Sequence, residues 1–472
     1  MGLRARLQRI GTHRGTDDIE NSFGLMDLLQ KRRIVHRTVT DCGLHPNPEA
    51  KPGEEGYVAS SLDFLRDGKL IDVLQLTHAH LDHVGHAPAL MPYMARNAKV
   101  YATKTTAEIL NYGYRDAIKI AGYRKSPAPY TEAQVDELMS RIRTFNRPGV
   151  YEIPGAPYKT LVHPAGHVPG ACSFTMKIGT CTIHYAGDRC THDQPGTRGA
   201  PPLPPDWKPK YIAGSDCTSG SDFASDFRSW QDEATKFHDE VAAALKRNSF
   251  AQINAFAFGR GPLSAHELRR RGINTPGVIH IDGGCRYYAK KQLDPAGGWC
   301  ELDSPLDLWG VQFVDGSHRE QLSQQKGIAM VTSGGMGGGA SIFYRRNVLA
   351  DPDAAMIFTG YVARGTDGHK ILMADAERKR TGTPAPVSFE VTDLETGEIK
   401  TETYMLRCRV SQFRLSGHAS RQETINWFRE INPEVAVLSH GSVESLESLA
   451  KELSGDINTV RADLEPSIEI DC

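Results

Sequence analysis

Short apolar or β-branched runs that stop at glycine, proline or aspartate recur along the 472-residue chain, with stretches of helical spacing between them. Residues 1–40 read as paired strands around a loop, ending in the β-branched run Arg33–Thr40, which stops at Asp41-Cys42-Gly43. The run from Val73 to Leu76 reads as a buried strand, and a helix interrupted by Pro88 and Pro92 is expected over 84–95. A strand at 99–102 leads to a helix start at Lys104. Thr131 and Gln134 fit a capping box, and Val135, Leu138, Met139 and Ile142 recur at helical spacing, so 131–143 is expected to be an amphipathic helix. Strands follow at 158–162 and 182–185, then a proline-rich hinge at 201–209.

Beyond the hinge, a strand at 211–213, a helix at about 224–247 and a strand running into Asp282 precede the glycine-rich segment Ser333–Gly339. A hairpin is expected around Glu395-Thr-Gly-Glu398, then a strand at 404–413, a helix at about 443–453 and a strand at 467–470. Strand alternating with helix implies a parallel sheet with helical cover.

Composition narrows the class. A mean hydropathy of -0.41 and 39% hydrophobic residues describe a soluble globular chain, and no apolar stretch reaches the roughly 18 residues of a membrane span. The first residues carry positive charge without an apolar core behind them, so no signal peptide is expected. Nine scattered cysteines without a Cys-x-x-Cys pair argue for reduced thiols in a cytoplasm and against a cysteine zinc site. With a net charge of -2, any contact with nucleic acid must be local.

The densest chemistry lies at His78-Ala-His80-Leu-Asp82-His83. Residues two apart leave a strand on the same side, so His78 and His80 can grip one ion, while Asp82 and His83 face a second. Imidazole and carboxylate donors suit Zn²⁺, with Mn²⁺ or Fe plausible at the carboxylate-richer position. Asp41, at a strand end before glycine, is placed to hold a ligand histidine in one tautomer. In the 163–171 loop, His167 follows a Pro-Ala-Gly turn and is preferred over His163 as a ligand; His163 and His184 read as residues that support a ligand or are structural. Asp188 sits past a strand, where a carboxylate can bridge two ions.

Asp41, His78-x-His80-x-Asp82-His83, Gly166-His167 and Gly187-Asp188 resemble the metallo-β-lactamase superfamily over about the first 200 residues. The Phe256-Ala-Phe-Gly-Arg260, Ser333-Gly-Gly-Met336 and Thr359-Gly-Tyr361 segments, with Asp216, Ser416-Gly-His418-Ala-Ser420 and His440-Gly441, resemble the β-CASP nucleases of that superfamily. The fold so implied is α/β: a metallo-β-lactamase αββα sandwich at 1–208 and 404–472, interrupted by a β-CASP α/β insert at 209–403. The implied function is a metal-dependent ribonuclease, endonucleolytic or acting 5′ to 3′, that leaves 5′ phosphate and 3′ hydroxyl ends.

Resemblance assigns one ion to His78, His80, His167 and Asp188, and the other to Asp82, His83, His440 and the shared Asp188. Asp82, Asp216 and His418 are the implied catalytic residues. A metal-bridging hydroxide is the nucleophile, and His418, oriented by Asp216, is the proton donor. Arg260, Ser333, Gly334, Gly335, Arg364, Ser416 and Ser420 are candidate substrate contacts. The partner is single-stranded RNA, with no membrane; a homodimer is left open, and the short tail leaves no room for an added RNA-binding or dimerisation domain. Histidine at 440 favours RNA over the DNA of relatives that carry valine there. Ser442 stands where RNA-processing relatives often have glutamate. A DNA 5′ exonuclease, a catalytically silent scaffold subunit and a small-ester or lactam hydrolase are the alternatives.

Overall fold

Ala5, Leu7, Met26 and Leu28 alternate along strands Arg4–Arg9 and Gly24–Gln30, so one face of their sheet is apolar. That face meets Met176, Ile178, Ile183 and Tyr185 of a second sheet. The first sheet runs Ser467–Asp471, Arg4–Arg9, Gly24–Gln30, Arg33–Thr40, Ile71–Gln75, Met94–Thr103, Ile142–Phe145. The second runs Thr459–Arg461, Val435–Leu438, Tyr211–Gly214, Cys181–Tyr185, Cys172–Ile178, Lys159–Pro164, Gly149–Glu152.

The chain is described here by a computed structural model, which covers residues 3–11, 19, 21–47, 50, 53–221, 229–292, 306–392, 399–465 and 467–472. It divides into two units, one holding the residues up to 221 and from 417 onward, the other 229–292 and 306–416.

Helices cover both outer faces of the first unit. Lys104–Tyr123 and Glu132–Arg141 bury Leu110, Tyr114, Val135 and Leu138 against the first sheet, and the expected Thr131–Gln134 capping box starts the second of them. Arg421–Ile431 and Val443–Leu453 bury Ile425, Phe428, Leu446, Leu449 and Leu453 against Ile212, Ala436 and Leu438 of the second sheet. Each such side chain contributes about 1.5–3 kcal/mol of burial. Helix, sheet, sheet, helix is the αββα sandwich expected of the sequence.

The second unit is a six-stranded, wholly parallel sheet in the order Gln312–Phe313, Ile279–Ile281, Gly327–Val331, Phe250–Asn254, Ala355–Phe358, Arg409–Gln412. Helices Trp230–Lys246 and Arg260–Arg270 pack into one apolar cluster on it, and Ser341–Ala350 and Asp367–Thr381 into another.

Three expectations change. No continuous helix spans 84–95: a single turn, Leu81–Val84, is followed by the 3-10 segment Ala87–Tyr93 and then by strand. Pro88 and Pro92 lack the N–H groups that an α-helix needs there. Tyr211–Gly214, expected to begin the insert, pairs in parallel with Cys181–Tyr185 and Val435–Leu438 in the first unit. The 404–413 stretch, expected to lead back into the first domain, closes a hairpin of Ala385–Thr392 with Ile399–Leu406 and then adds Arg409–Gln412 to the insert's sheet. The expected turn at 395–398 and the expected helix start at 224–228 lie outside the described residues.

The basic run Arg378-Lys-Arg380 ends a helix, where Arg378 and Lys379 pair with Asp375 and Arg380 with Glu377. Among the described residues, eight cysteines are free and no helix is long and apolar enough to cross a membrane.

Candidate metal centre

Parallel strands deliver their carboxyl ends to one edge. Arg33–Thr40 and Ile71–Gln75 are parallel neighbours in one sheet, and Cys181–Tyr185, Tyr211–Gly214 and Val435–Leu438 are parallel neighbours in the other. Asp41, His78, Asp188, Asp216 and His440 each follow one of these strands. The chain gathers its polar chemistry where the strands stop, while the strands themselves bury apolar side chains.

Two donor groups form there. His78, His80, His167 and Asp188 make one, and Asp82, His83 and His440 the other, with the donor atoms of each group within 4.8 Å of one another. In the first, His80 Nδ1 lies 3.1 Å from His78 Nε2 and 3.0 Å from His167 Nε2. Asp188 Oδ2 lies 3.6 Å from His78 Nε2 and 3.4 Å from His167 Nε2. Four donors held tetrahedrally at zinc bond lengths stand roughly 3.3 Å apart. In the second group, His83 Nε2 and His440 Nε2 are 3.3 Å apart, and His440 Nε2 is 3.7 Å from Asp82 Oδ2. Asp188 Oδ1 faces this group, 2.9 Å from His83 Nε2 and 3.0 Å from His440 Nε2. One carboxylate therefore turns an oxygen toward each group.

Hydrogen bonds at the far side of the rings show that these residues fit a cation. His167 Nδ1 lies 2.8 Å from the Gly417 carbonyl, which can only accept, so Nδ1 carries the proton and Nε2 the lone pair. His83 Nδ1 is held in the same way by Asp41 Oδ2 at 2.8 Å. Thr77 Oγ1 donates to that same Asp41 oxygen at 2.8 Å and accepts from His78 Nδ1 at 3.2 Å. Three imidazole lone pairs thus converge on a carboxylate whose oxygens also carry lone pairs. Asp188 Oδ1 is buried and receives no well-directed hydrogen bond, despite the two nitrogens about 3 Å away. Such an arrangement repels itself unless positive charge lies between the donors.

Electrostatics follow from burial. Burial alone pushes the Asp188 carboxyl up, and positive charge on His440 and His83 beside it, when those rings are protonated, holds the group well below the usual carboxylate range; with the rings neutral as ligands, a bound cation would have to supply that charge. Burial drives the His78 ring well below its ordinary value, which keeps it neutral as a ligand must be. Cys42 and Cys172 are buried and pushed well up, so neither supplies a thiolate.

Beside the first group, His418 Nδ1 lies 3.0 Å from Asp216 Oδ2. Asp216 also accepts the backbone N–H groups of Arg189 at 2.9 Å and Thr218 at 3.1 Å. Burial raises its pKa, but the neighbouring His418 more than reverses this, leaving the carboxyl below its usual range. The His418 and His167 rings are 4.4 Å apart.

His163 and His184 sit elsewhere, bonded to the Pro201 carbonyl at 3.0 Å and to Thr175 Oγ1 at 2.8 Å. Ser420 caps the helix after His418, and Ser442 caps Val443–Leu453 by accepting the Ser445 N–H. Arg260, Ser333, Gly334, Gly335, Arg364 and Ser416 belong to the second unit. There Arg260 is buried and Arg364 exposed, and the glycine-rich turn closes on itself through Ser333 N–H to the Gly338 carbonyl.

Thr77, Gly417 and Gln194 were not singled out by the sequence. Gln194 Nε2 donates to the Gly166 and His167 carbonyls at 2.9 and 3.2 Å and fixes that loop. A hydroxyl directly before His78 was a usable signal for Thr77; a backbone carbonyl such as that of Gly417 leaves none.

The sandwich and its donor set define a protein of the metallo-β-lactamase class. A family model described as the Zn-dependent metallo-hydrolase RNA specificity domain matches residues 403–462. Probable RNase MJ4 of Methanocaldococcus jannaschii is 25% identical over 415 residues, covering 86% of this chain and 87% of its own length. Ribonuclease TTHA0252 of Thermus thermophilus is 24% identical over 434 residues, 89% and 90% of the two chains. Cleavage and polyadenylation specificity factor 73 of Drosophila melanogaster is 24% identical over 445 residues, 90% of this chain but 59% of that protein. A crystal structure of a protein of unknown function from Enterococcus faecalis shares the fold, with a TM-score of 0.56 and 14% identity over 100% of both chains. The chain is similar to the β-CASP family of metallo-β-lactamase-fold proteins over most of its length.

Proposed function

We propose that the protein is a ribonuclease that hydrolyses RNA phosphodiester bonds at a two-metal centre, leaving 5′ phosphate and 3′ hydroxyl ends. The observation that carries this reading is Asp188, whose two oxygens face the two donor groups, with the His418–Asp216 pair alongside. The relatives named as ribonucleases support the choice of RNA.

His78, His80, His167 and Asp188 would hold one ion, most simply Zn²⁺, and Asp82, His83, His440 and Asp188 the other. Bound there, two divalent ions supply a hydrolytic nucleophile at neutral pH and neutralise charge on the phosphoryl oxygens. Asp41 and Thr77 orient His83 and His78, and the Gly417 carbonyl orients His167. His418 passes a proton to the departing 3′ oxygen, and Asp216 holds and orients its Nδ1–H. The first unit is read as the metallo-β-lactamase domain and the second as the β-CASP insert. Arg260, Ser333, Gly334, Gly335, Arg364, Ser416 and Ser420 are the candidate RNA contacts. Free, scattered cysteines favour a reducing, cytoplasmic setting.

The test is incubation of zinc-loaded protein with end-labelled RNA bearing a 5′ phosphate, a 5′ triphosphate or a blocked end, beside DNA of matched sequence. Cleavage of RNA to 5′-phosphorylated products is expected. A strong DNA preference contradicts the choice of RNA, and no turnover of either polymer contradicts the enzyme.

A further inference from the structure

Arg189 is buried, and neither of its Nη atoms has a hydrogen-bond partner. A guanidinium is costly to bury on such terms, so its position needs a reason. Its guanidinium carbon lies over the Trp427 ring, 4.4 Å from the ring centroid, on the helix Arg421–Ile431 that begins just after His418. The same residue reaches Asp216 and the residue following His418 through its backbone. Its N–H donates to Asp216 Oδ2 at 2.9 Å, and its carbonyl accepts the Ala419 N–H at 2.6 Å.

Two residues on, the segment is fastened to the helix again. Thr191 Oγ1 donates to Glu423 Oε1 at 2.6 Å. Glu423 Oε2 also accepts the Ser420 N–H at 2.8 Å, completing the capping box that starts the helix. His418 therefore sits between Asp216 on one side and a helix start held by residues 189–191 on the other.

We propose that Arg189 and Trp427 are positioning residues, a clamp that fixes His418 at the distance from the scissile bond at which its proton reaches the leaving oxygen, with Thr191–Glu423 as the outer fastening. The inference rests on His418 being the proton donor. The stack orders the helix without drawing a hydrogen bond away from Asp216 or His418, which explains why an unbonded cation stands there. Neither side chain touches substrate.

Leaving-group chemistry separates positioning from a general structural role. A ribose 3′ oxygen is a strong base and leaves only with a proton, whereas a nitrophenolate is a weak base and leaves without one. The zinc-loaded full chain is assayed for kcat on RNA and on bis(p-nitrophenyl) phosphate, with metal content and melting curves measured in parallel. Trp427→Leu is expected to lower kcat on RNA about tenfold or more while bis(p-nitrophenyl) phosphate turnover and bound metal stay at wild-type level, and Trp427→Phe is expected to restore it. Equal loss on both substrates, or no loss on RNA, overturns the clamp.

Thr191→Val keeps the stack and cuts one bond at the exposed edge, so it guards against a Trp427→Leu chain that does not fold. It is expected to move the same ratio about threefold, and an unmoved ratio overturns the proposal as well. His418→Ala is the reference. If it leaves the ratio unchanged, the proton-donor reading has failed and takes the clamp with it; if wild-type protein cuts the nitrophenyl ester but no RNA, the ribonuclease reading has failed.

Discussion

Asp188 Oδ1 lies 3.0 Å from His440 Nε2, and the strands that deliver these two residues flank a third, Tyr211–Gly214. The contact joins a residue before the insert to one after it. His440→Ala is expected to lower metal stoichiometry from two ions to one, and Asp188→Ala to weaken both sites, each cutting RNA cleavage by more than about 100-fold. Elemental analysis of purified variants reads the first effect, and full stoichiometry in both would count against a shared carboxylate.

Asp41 acts one bond further out. Its oxygens take the Thr77 N–H and Oγ1 and the His83 Nδ1–H, each at 2.8 Å. Asp41→Asn keeps the shape but turns an acceptor into a donor. Metal affinity is expected to fall about 10- to 100-fold, measured by competition with a chelating dye; an unchanged affinity would remove Asp41 from the account.

Away from the centre, Arg37 is fully buried and forks onto Asp27 at 2.7 and 2.9 Å and Asp67 at 3.0 and 2.8 Å. Arg37→Ala would leave the buried Asp27 carboxylate uncompensated, and stability is expected to drop by about 3–5 kcal/mol. Urea denaturation at neutral pH measures it. A loss below about 1 kcal/mol would mean that Asp27 is neutralised by another route.

His192 and Glu423 make stability depend on pH in a defined direction. Burial acts to lower the His192 pKa, but the neighbouring Cys190 and the Glu423 carboxylate, 3.5 Å from its Nδ1, carry it up to about 10. A raised folded-state pKa contributes stability that is full below the ordinary value of 6.5 and is lost as pH climbs through about 10. Burial pushes Glu423 the other way from its bonds to His192, Thr191 and Ser420, which win and hold it at about 2. Its contribution is full above 4.5 and lost as pH falls through about 2. The melting-temperature gap between wild type and His192→Asn should therefore be widest near pH 5–6 and close by pH 10. A gap that widens with rising pH would reverse the sign.

How much of this the sequence disclosed depends on whether a residue acts alone or through its neighbours. His78 to His83 lie within six positions, so strand geometry alone groups them. Asp216, His418 and His440 are far apart along the chain, and only family resemblance linked them to the first cluster. The fold class was legible from strands alternating with helices, but the sheet that each strand joins was not. Tyr211–Gly214 and Arg409–Gln412 are short parallel strands, and nothing in four residues marks which partner they will find. The 84–95 segment misled because its apolar residues keep helical spacing while Pro88 and Pro92 forbid the bonds. Arg189 gave no signal at all, since its role runs through two backbone atoms and one ring.

The most direct test of the central claim is to strip the protein of metal, return zinc, and follow cleavage of 5′-labelled RNA by wild type and Asp188→Ala. The account predicts no cleavage by the stripped protein, recovery as about two equivalents of zinc are bound, 5′-phosphorylated products, and no recovery for Asp188→Ala. Cleavage by the stripped protein, or full recovery in Asp188→Ala, would contradict it.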